Sequence, residues 1–341
     1  MATLADVARH AGVAASTVSY VLSGKRPVAA ETRRRVLDSI ELLNYHPHAG
    51  ARALASSRSN VLAMFVPLHP YQYVPVMMEI AIGVTTTARN YGYDVLLLTN
   101  EEGTDRIIGS ARADAVILTD VTMDDDRVPA LRAAGVPVVL IGVPADSARL
   151  DCVDLDFAAA GRICVEHLAG LGHREIAFIG EAEAVYRRRV GYAERTLAGV
   201  RAAAADAGVG LVHRPCESSF EAAAGVLVRV FEERPRTTGL IVQNEAVVPP
   251  LLSLLRTAGR AVPEDVSIVA LCPDQLAEQT SPRLTSVTMP ATELGVRAVA
   301  ALMRRLREDG AGSSRVDLLP PVLTIRGSTT TVRSEKSEQL P

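Results

Sequence analysis

No tryptophan is present in this chain, and aromatic residues make up only 4% of its 341 positions. Cysteine is sparse as well. Cys152, Cys164, Cys216 and Cys272 are scattered without a CxxC pair, which argues against a metal site or a disulfide framework and suits reduced cytosolic thiols. Apolar runs stay well short of the ~20 residues a membrane helix needs. At the N-terminus no basic region leads into a continuous apolar core, so no secretory signal is read there. Phosphate-binding and nucleophile motifs are missing too: GxxxxGK(S/T), GxGxxG and GxSxG are all absent, and no acid–base pair has a defined geometry. Neither a metal nor a cofactor is expected. What remains, 48% apolar and 22% charged residues, describes an ordinary globular protein with room for two or three domains.

An excess of positive charge is also lacking, since the net charge of −3 argues by itself against a nucleic-acid binder. The distribution of that charge argues the other way. Residues 1–60 hold eight cations against four acids, a net +4, which leaves −7 for the rest. A basic head on an acidic body suits phosphate contact by the head alone. Within the head, TLADVARHAGVAASTVSYVL (Thr3–Leu22) reads as two short helices around a glycine turn. Thr3 with Asp6 is an N-cap with an acid in the positive first turn. Leu4, Val7 and Ala8 share one face, and Val18, Val21 and Leu22 another. A short glycine-containing turn between two such helices is the helix-turn-helix pattern, and the second helix is polar outside at Ser16, Thr17, Ser19 and Tyr20.

A third helix is read near Ala30–Leu43, and Pro47 marks a boundary after it. Ala49–Arg58 then forms a linker too Ala-rich to be merely flexible and too short to hold a helix unaided. From Val61 onward the pattern changes to short β runs: 61–66, 93–98, 115–119, 136–141, 175–180, 239–243, 266–271 and 284–289, with helices between most of them. Continuous Val/Ile/Leu runs alternating with helices indicate parallel sheets covered on both faces, and about 280 residues of this fill two lobes.

The motifs TLADVARHAGVAASTVSYVLSG, V-x-x-x-TRRRV and LNYHPHAGARALASSRSNVLA together resemble the lactose-repressor (LacI/GalR) family of transcription regulators. The likeness continues through RxxGY at Arg188–Tyr192, GHREIAFIG at 172–180, Gln243-Asn244-Glu245, VPEDVSIVA at 262–270, LTSVTMPATELG at 284–295 and VLTIRGST at 322–329, so it spans essentially the whole chain. It implies an all-α helix-turn-helix headpiece with a hinge helix, followed by an α/β two-lobed core like that of periplasmic binding proteins, with parallel sheets flanked by helices. The implied boundaries are 1–46 for the headpiece, 47–59 for the hinge, 60–333 for the core and 334–341 for a disordered tail. Within the core, the N-lobe takes about 60–157 plus 288–316 and the C-lobe about 158–287 plus 317–333. The implied function is that of a cytoplasmic regulator, most simply a repressor. Its homodimer binds a pseudo-palindromic double-stranded operator and answers to a small-molecule effector, a carbohydrate or related metabolite, in the interlobe cleft. The tail has no apolar heptad that could assemble tetramers.

Carried over by position, Ala15, Ser16 and Tyr20 face base edges, Thr17, Thr32 and Arg33 contact phosphates, and Thr3 joins the same DNA-binding set. Leu54, flanked by Ala51 and Ala55, is the hinge wedge that unstacks a base step. The implied effector set is Arg188, Asn244 and Phe220, together with Tyr71, Tyr73, Asp120 and Asp274 at strand ends, where ligands of open α/β sheets bind. Bland readings stand beside these. Ser16 and Tyr20 also read as a solvated face, Arg188 as one of an arginine run, and Asn244 as a helix cap. His173 reads as a strand-entry residue. The chain also departs from the family: Tyr20 stands where many members carry Arg, Ala14 and Ala29 replace capping Ser, and Gly142 and Cys272 replace cleft Asp. With no tryptophan, these losses make a simple hexose a weaker expectation. Two other classes compete, a transport-type solute-binding protein and an α/β enzyme. The basic head and missing signal weigh against the first, and the missing motifs against the second.

Overall fold

The computed structural model describes residues 2–23, 26–45, 59–69, 73–99, 107, 113–307 and 313–332. Ala51, Leu54 and Ala55 of the expected hinge, Tyr71, and the tail 334–341 lie outside these residues. Three helices form the head: α1 (Leu4–Ala11), α2 (Ala15–Ser23) and α3 (Ala30–Leu42). The start of α1 is a reciprocal cap. Thr3 Oγ1 accepts from the Asp6 N–H at 3.3 Å, and Asp6 accepts from the Thr3 N–H at 2.9 Å, which satisfies two donors that a helix end would otherwise orphan. Gly12, at φ +66°, makes the left-handed turn into α2. Ala29 gives α3 no side-chain cap, and the Thr17 N–H reaches only the Ala14 carbonyl, at 2.9 Å. Val7, Ala8 and Ala11 close against Val18, Val21, Val36 and Tyr45 in one small core. Leu22, read onto that face, is exposed instead.

Two six-stranded sheets follow. The first holds β1 (Val61–Phe65), β2 (Asp94–Leu98), β3 (Ala115–Leu118), β4 (Val138–Ile141), β5 (Asp151–Leu155) and β11 (Val316–Leu319). They run in the order β11-β5-β4-β3-β1-β2, all parallel. The second holds β6 (Glu175–Gly180), β7 (Gly210–Pro215), β8 (Gly239–Val242), β9 (Ser267–Cys272), β10 (Thr285–Thr288) and β12 (Leu323–Thr324). Their order is β12-β10-β9-β8-β6-β7, with only β12 antiparallel. The expected lobe boundary at 316/317 shifts. Asp317–Leu319 pair with Val153–Leu155 in the first sheet, so the last crossing falls after Leu319. The cause is unpaired backbone at the outer side of β5. Cys152 N–H bonds the Arg315 carbonyl and Asp156 N–H the Leu319 carbonyl, each at 2.9 Å, which extends the ladder past both ends of β11.

Each lobe packs one pair of helices against its sheet at close approach. In the first, α4 (Val74–Asn90) crosses α12 (Ala291–Arg307), and glycine stands on both sides. A Cβ on Gly83 would lie 2.3 Å from the Thr292 carbonyl oxygen, and one on Gly295 2.5 Å from that of Ile80. In the second lobe α6 (Phe157–Gly170) crosses α8 (Gly191–Asp206) in the same manner, with Gly161 and Gly199 at the contact. Alanine at 199 would place its Cβ 2.0 Å from the Ala158 carbonyl oxygen. Its better helix propensity is worth about 1 kcal/mol, whereas overpacking against rigid backbone costs about 1–3 kcal/mol. Gly199→Ala is therefore expected to lower Tm, with a net loss of up to about 2 kcal/mol. An unchanged Tm would mean that the two helices slide apart freely.

Candidate functional site

On the headpiece, Ala15 and Ser16 lie exposed at the start of α2, and Thr17 and Tyr20 are half-buried on the same helix. The Arg26 guanidinium stands 5.2 Å from the centre of the Tyr20 ring, within cation–π range. Thr32 and Arg33 occupy the first turn of α3, with Arg33 exposed. Thr3 is committed to the α1 cap.

The core holds a cavity of about 100 Å³ between its lobes. One wall is apolar: Val76, Met77 and Ile80 of α4 from one lobe, with Phe157, Met289 and Leu294. Polar groups come from strand ends on both sides. Asp120 follows β3 and Asp154 lies at the end of β5, while Glu181 follows β6 and Glu245 begins a short 3-10 turn after β8. This is where parallel sheets leave backbone ends free to present side chains. Asp120 takes a left-handed backbone conformation, φ +53°, which aspartate tolerates better than most residues.

Across the cavity mouth, Asp120 of the first lobe pairs with Arg188 of the second at 2.8 Å, and His69 Nε2 lies 3.3 Å from the same carboxylate oxygen. Beside this pair the two lobes are fastened backbone to backbone. Gly191 N–H bonds the Val121 carbonyl at 2.9 Å, Met123 N–H bonds the Arg189 carbonyl at 2.8 Å, and Thr122 and Val190 form an antiparallel bridge. Arg195 reaches back to the Pro144 carbonyl at 3.2 Å.

Inside, the other carboxyl groups have fewer cationic partners. Burial raises the Asp154 pKa to about 7, against a hydrogen bond from the Leu155 N–H and the charge of Arg195, which both lower it. Burial also raises Glu245 to about 7, and pushes Glu181 well upward with help from Glu245 and Asp120. Near neutral pH these groups therefore keep protons that ordinary carboxylates have lost.

Several implied effector residues fall elsewhere. Tyr73 and Asp120 line the cavity, and Arg188 meets it through Asp120. Phe220, at the start of α9 (Phe220–Glu233), is 51% exposed and outside the lining. Asn244 is buried and caps the 3-10 turn: its Nδ2 donates to the Cys216 carbonyl at 2.8 Å, and its Oδ1 accepts from the Ala246 N–H at 3.2 Å. Asp274, on the surface, accepts from Arg326 at 2.8 Å and from Thr288 at 3.0 Å. Gly142 does line the cavity, but at φ +129° its Cβ would lie 2.7 Å from that of Val121, so an aspartate there would collide. Cys272 is buried with its thiol raised to about 12 by burial, a neutral core group. His173 ties two strand entries, meeting Thr238 Oγ1 at 2.8 Å and the Thr330 carbonyl at 3.1 Å. Sequence reasoning missed Asp154, Glu181, Tyr192 and Glu245. Two of them sit inside motifs already singled out, Tyr192 in RxxGY and Glu245 after Gln243-Asn244, and Glu181 directly follows GHREIAFIG.

Comparison with known proteins fits this architecture at both ends. Residues 3–48 match the family of bacterial regulatory proteins, lacI family, and residues 165–329 match the periplasmic binding protein-like domain. The HTH-type transcriptional repressor PurR of Photobacterium profundum is 31% identical over 344 residues, covering 96% of this chain and 98% of its own. Among solved structures, the transcriptional regulator CelR–cellobiose complex superposes with a TM-score of 0.70 at 26% identity, over 96% of this chain and 100% of that one. The lac repressor dimer bound to operator and the anti-inducer ONPF gives 0.79 at 24% identity over 96% and 99%, a likeness of fold.

Proposed function

The chain belongs to the lacI family of bacterial regulatory proteins, and from that premise we propose a repressor whose homodimer binds a pseudo-palindromic operator and whose grip is set by a small-molecule effector between the core lobes. The interlobe cavity carries the effector reading. Its polar groups come from both lobes, so a ligand filling it would favour one interlobe angle over another, and differential binding is what shifts such an equilibrium. The Asp120–Arg188 pair and the bridge at Thr122 and Val190 are the contacts such a shift would remake.

Support for the dimer comes from the first lobe's edge. Val74, Met78 and Ile82, four residues apart on α4, are exposed on the side of the sheet that Leu97 of the edge strand β2 also faces, and Leu97 is exposed too. An exposed apolar patch rimmed by polar residues marks an interaction surface, and a two-fold axis lets one patch cover its own copy. The cytoplasm is the site of that role. Among the described residues no helix is long and apolar enough to cross a membrane.

Selection from a pool of randomised duplexes tests the DNA half of this reading. The full chain should recover a pseudo-palindrome, and Tyr20→Ala should bind it more weakly by about 1 kcal/mol, roughly fivefold, as a single lost base contact implies. Recovery of unrelated duplexes by a chain that still binds small ligands would favour the solute-binding reading instead.

A further inference from the structure

We propose that the molecule this cavity takes is a small organic amine, held as its ammonium ion by Asp154, Glu181 and Glu245 against an apolar wall. The proposal rests on the reading of the cavity as the effector site, and it names the chemistry of the effector. Three carboxyl groups from three different elements converge there. Asp154 is 4% exposed, and only its Oδ1 is engaged, by the Leu155 N–H at 3.0 Å; Oδ2 has no partner. A second acceptor, independent of the acids, is in the same condition. Gln243, 3% exposed, lines the adjoining recess of about 30 Å³ that shares Glu181 and Glu245. Its Nε2 donates to Thr196 at 3.1 Å, but its Oε1 is unpartnered.

Several nearby donors are committed. Thr119 Oγ1 donates to the Phe65 carbonyl at 2.7 Å, and the Tyr192 hydroxyl lies close enough to Glu181 to lower its pKa. The guanidiniums at the rim are held by Asp120 and by the Pro144 carbonyl. Buried acceptors without donors are costly, and the ligand that repairs them brings donors and no acceptors. An ammonium group does that, with three N–H donors and a full charge. A sugar brings as many acceptors as donors and would lay hydroxyls on Val76, Ile80 and Leu294; an anion brings acceptors alone and leaves Gln243 Oε1 without a donor.

Protonation supports the same choice. The groups facing Asp154 are Arg195, Asp156 and Cys152; those facing Glu181 are Glu245, Asp120, Tyr192 and Tyr186; those facing Glu245 are Glu181, Tyr73, Tyr192 and Cys272. Acids outnumber cations here, so the ligand-free site keeps protons that an arriving ammonium displaces.

Matched triads test this on the full chain: butane-1,4-diol, putrescine and succinate; benzyl alcohol, benzylamine and benzoate; glucose, glucosamine and glucuronate. Thermal shift at pH 7 and 8, followed by calorimetry in buffers of different ionisation heat, should find at least one amine preferred over its neutral partner by roughly 10- to 100-fold. Binding should release protons and tighten with rising pH, and Glu181→Gln or Glu245→Gln should weaken it about tenfold or more without lowering the Tm of the ligand-free protein. Equal or tighter binding of a neutral or acidic member, no binding by any amine, or amine binding indifferent to both substitutions overturns the proposal. An amine that meets every criterion yet leaves operator affinity unchanged overturns the effector reading instead. A neutral compound that frees the operator through this cavity keeps that reading and removes the ammonium.

Discussion

Replacing Asp151 by alanine is expected to lower the unfolding free energy by about 3 kcal/mol, read as a shift of the urea transition. Asp151 opens β5 and is 1% exposed. Its Oδ1 accepts from Arg304 at 2.5 Å and from the Arg315 N–H at 3.1 Å; its Oδ2 accepts from Arg305 Nε at 2.6 Å. One carboxylate thus fastens the end of α12 and the approach to β11 onto β5. Alanine removes that acceptor set: Arg304 and Arg305 lose the Asp151 charge, and the Arg315 N–H loses its acceptor. Breaking a buried pair by losing one partner costs about 3–5 kcal/mol. The arginines keep 30% and 16% of their side chains in water, which recovers part of the loss and selects the low end. Because β11 is held to the sheet only through β5, amide exchange should quicken first in β11 and the last turn of α12. A variant within ~1 kcal/mol of the parent would mean that the carboxylate only breaks even against its own desolvation.

Asp151 also explains part of what sequence pattern left unread. Strands such as β6 and β8 are legible because their apolar runs are continuous and fully interior. DCVDL is equally buried, yet two acids interrupt it, and an interrupted run does not read as a parallel strand. Each acid has its own reason for being inside: Asp151 meets arginines more than 150 residues away in the chain, and Asp154 faces the cavity. Neither reason is local, so no window of sequence contains it. β7, with His213, Arg214 and Pro215 on a sheet edge, was hidden for the related reason that edges tolerate polar residues and proline. The headpiece was legible because its signals are local: the Thr3–Asp6 cap and Gly12 act within four residues of their partners. The site divides along the same line. Position within a motif found Arg188 and position at a strand end found Asp120 and Tyr73, whereas Asn244, Phe220 and Asp274 occupy places from which their side chains serve a cap, the surface and an ion pair. Glu181 and Glu245 follow strands as Asp120 does, but no local signal marks either as facing the other lobe. Only the first lobe's closure over them buries Glu181 and half-buries Glu245.

Asp154→Asn is expected to stabilise the ligand-free protein at pH 8 by about 2–3 kcal/mol, and not at pH 4. The folded Asp154 titrates near 7, chiefly because burial disfavours its charge, against an ordinary value of 3.8. Between those values the unfolded chain has lost this proton while the folded chain keeps it. Stability from this group is therefore fully present below about pH 4 and declines as pH rises, until it levels off above 7. At about 1.4 kcal/mol per unit, the penalty at pH 8 is about 4 kcal/mol. Asparagine never ionises, and its Oδ1 can keep the bond from the Leu155 N–H, while its Nδ2 adds a buried donor that costs about 1–2 kcal/mol unless Gln243 or Glu181 accepts from it. The net gain is what remains. Urea unfolding of parent and variant at pH 4, 6 and 8 measures the difference directly, free of the other titrating groups they share. A variant less stable than its parent at pH 8 would mean that a donor already satisfies the Asp154 charge in the folded state, which would also remove the unpartnered oxygen that an ammonium ligand is inferred to meet. If the gain is found together with loss of amine binding, position 154 holds a charge at the expense of the fold because the ligand requires it, the trade-off expected where a binding site is carved into a core.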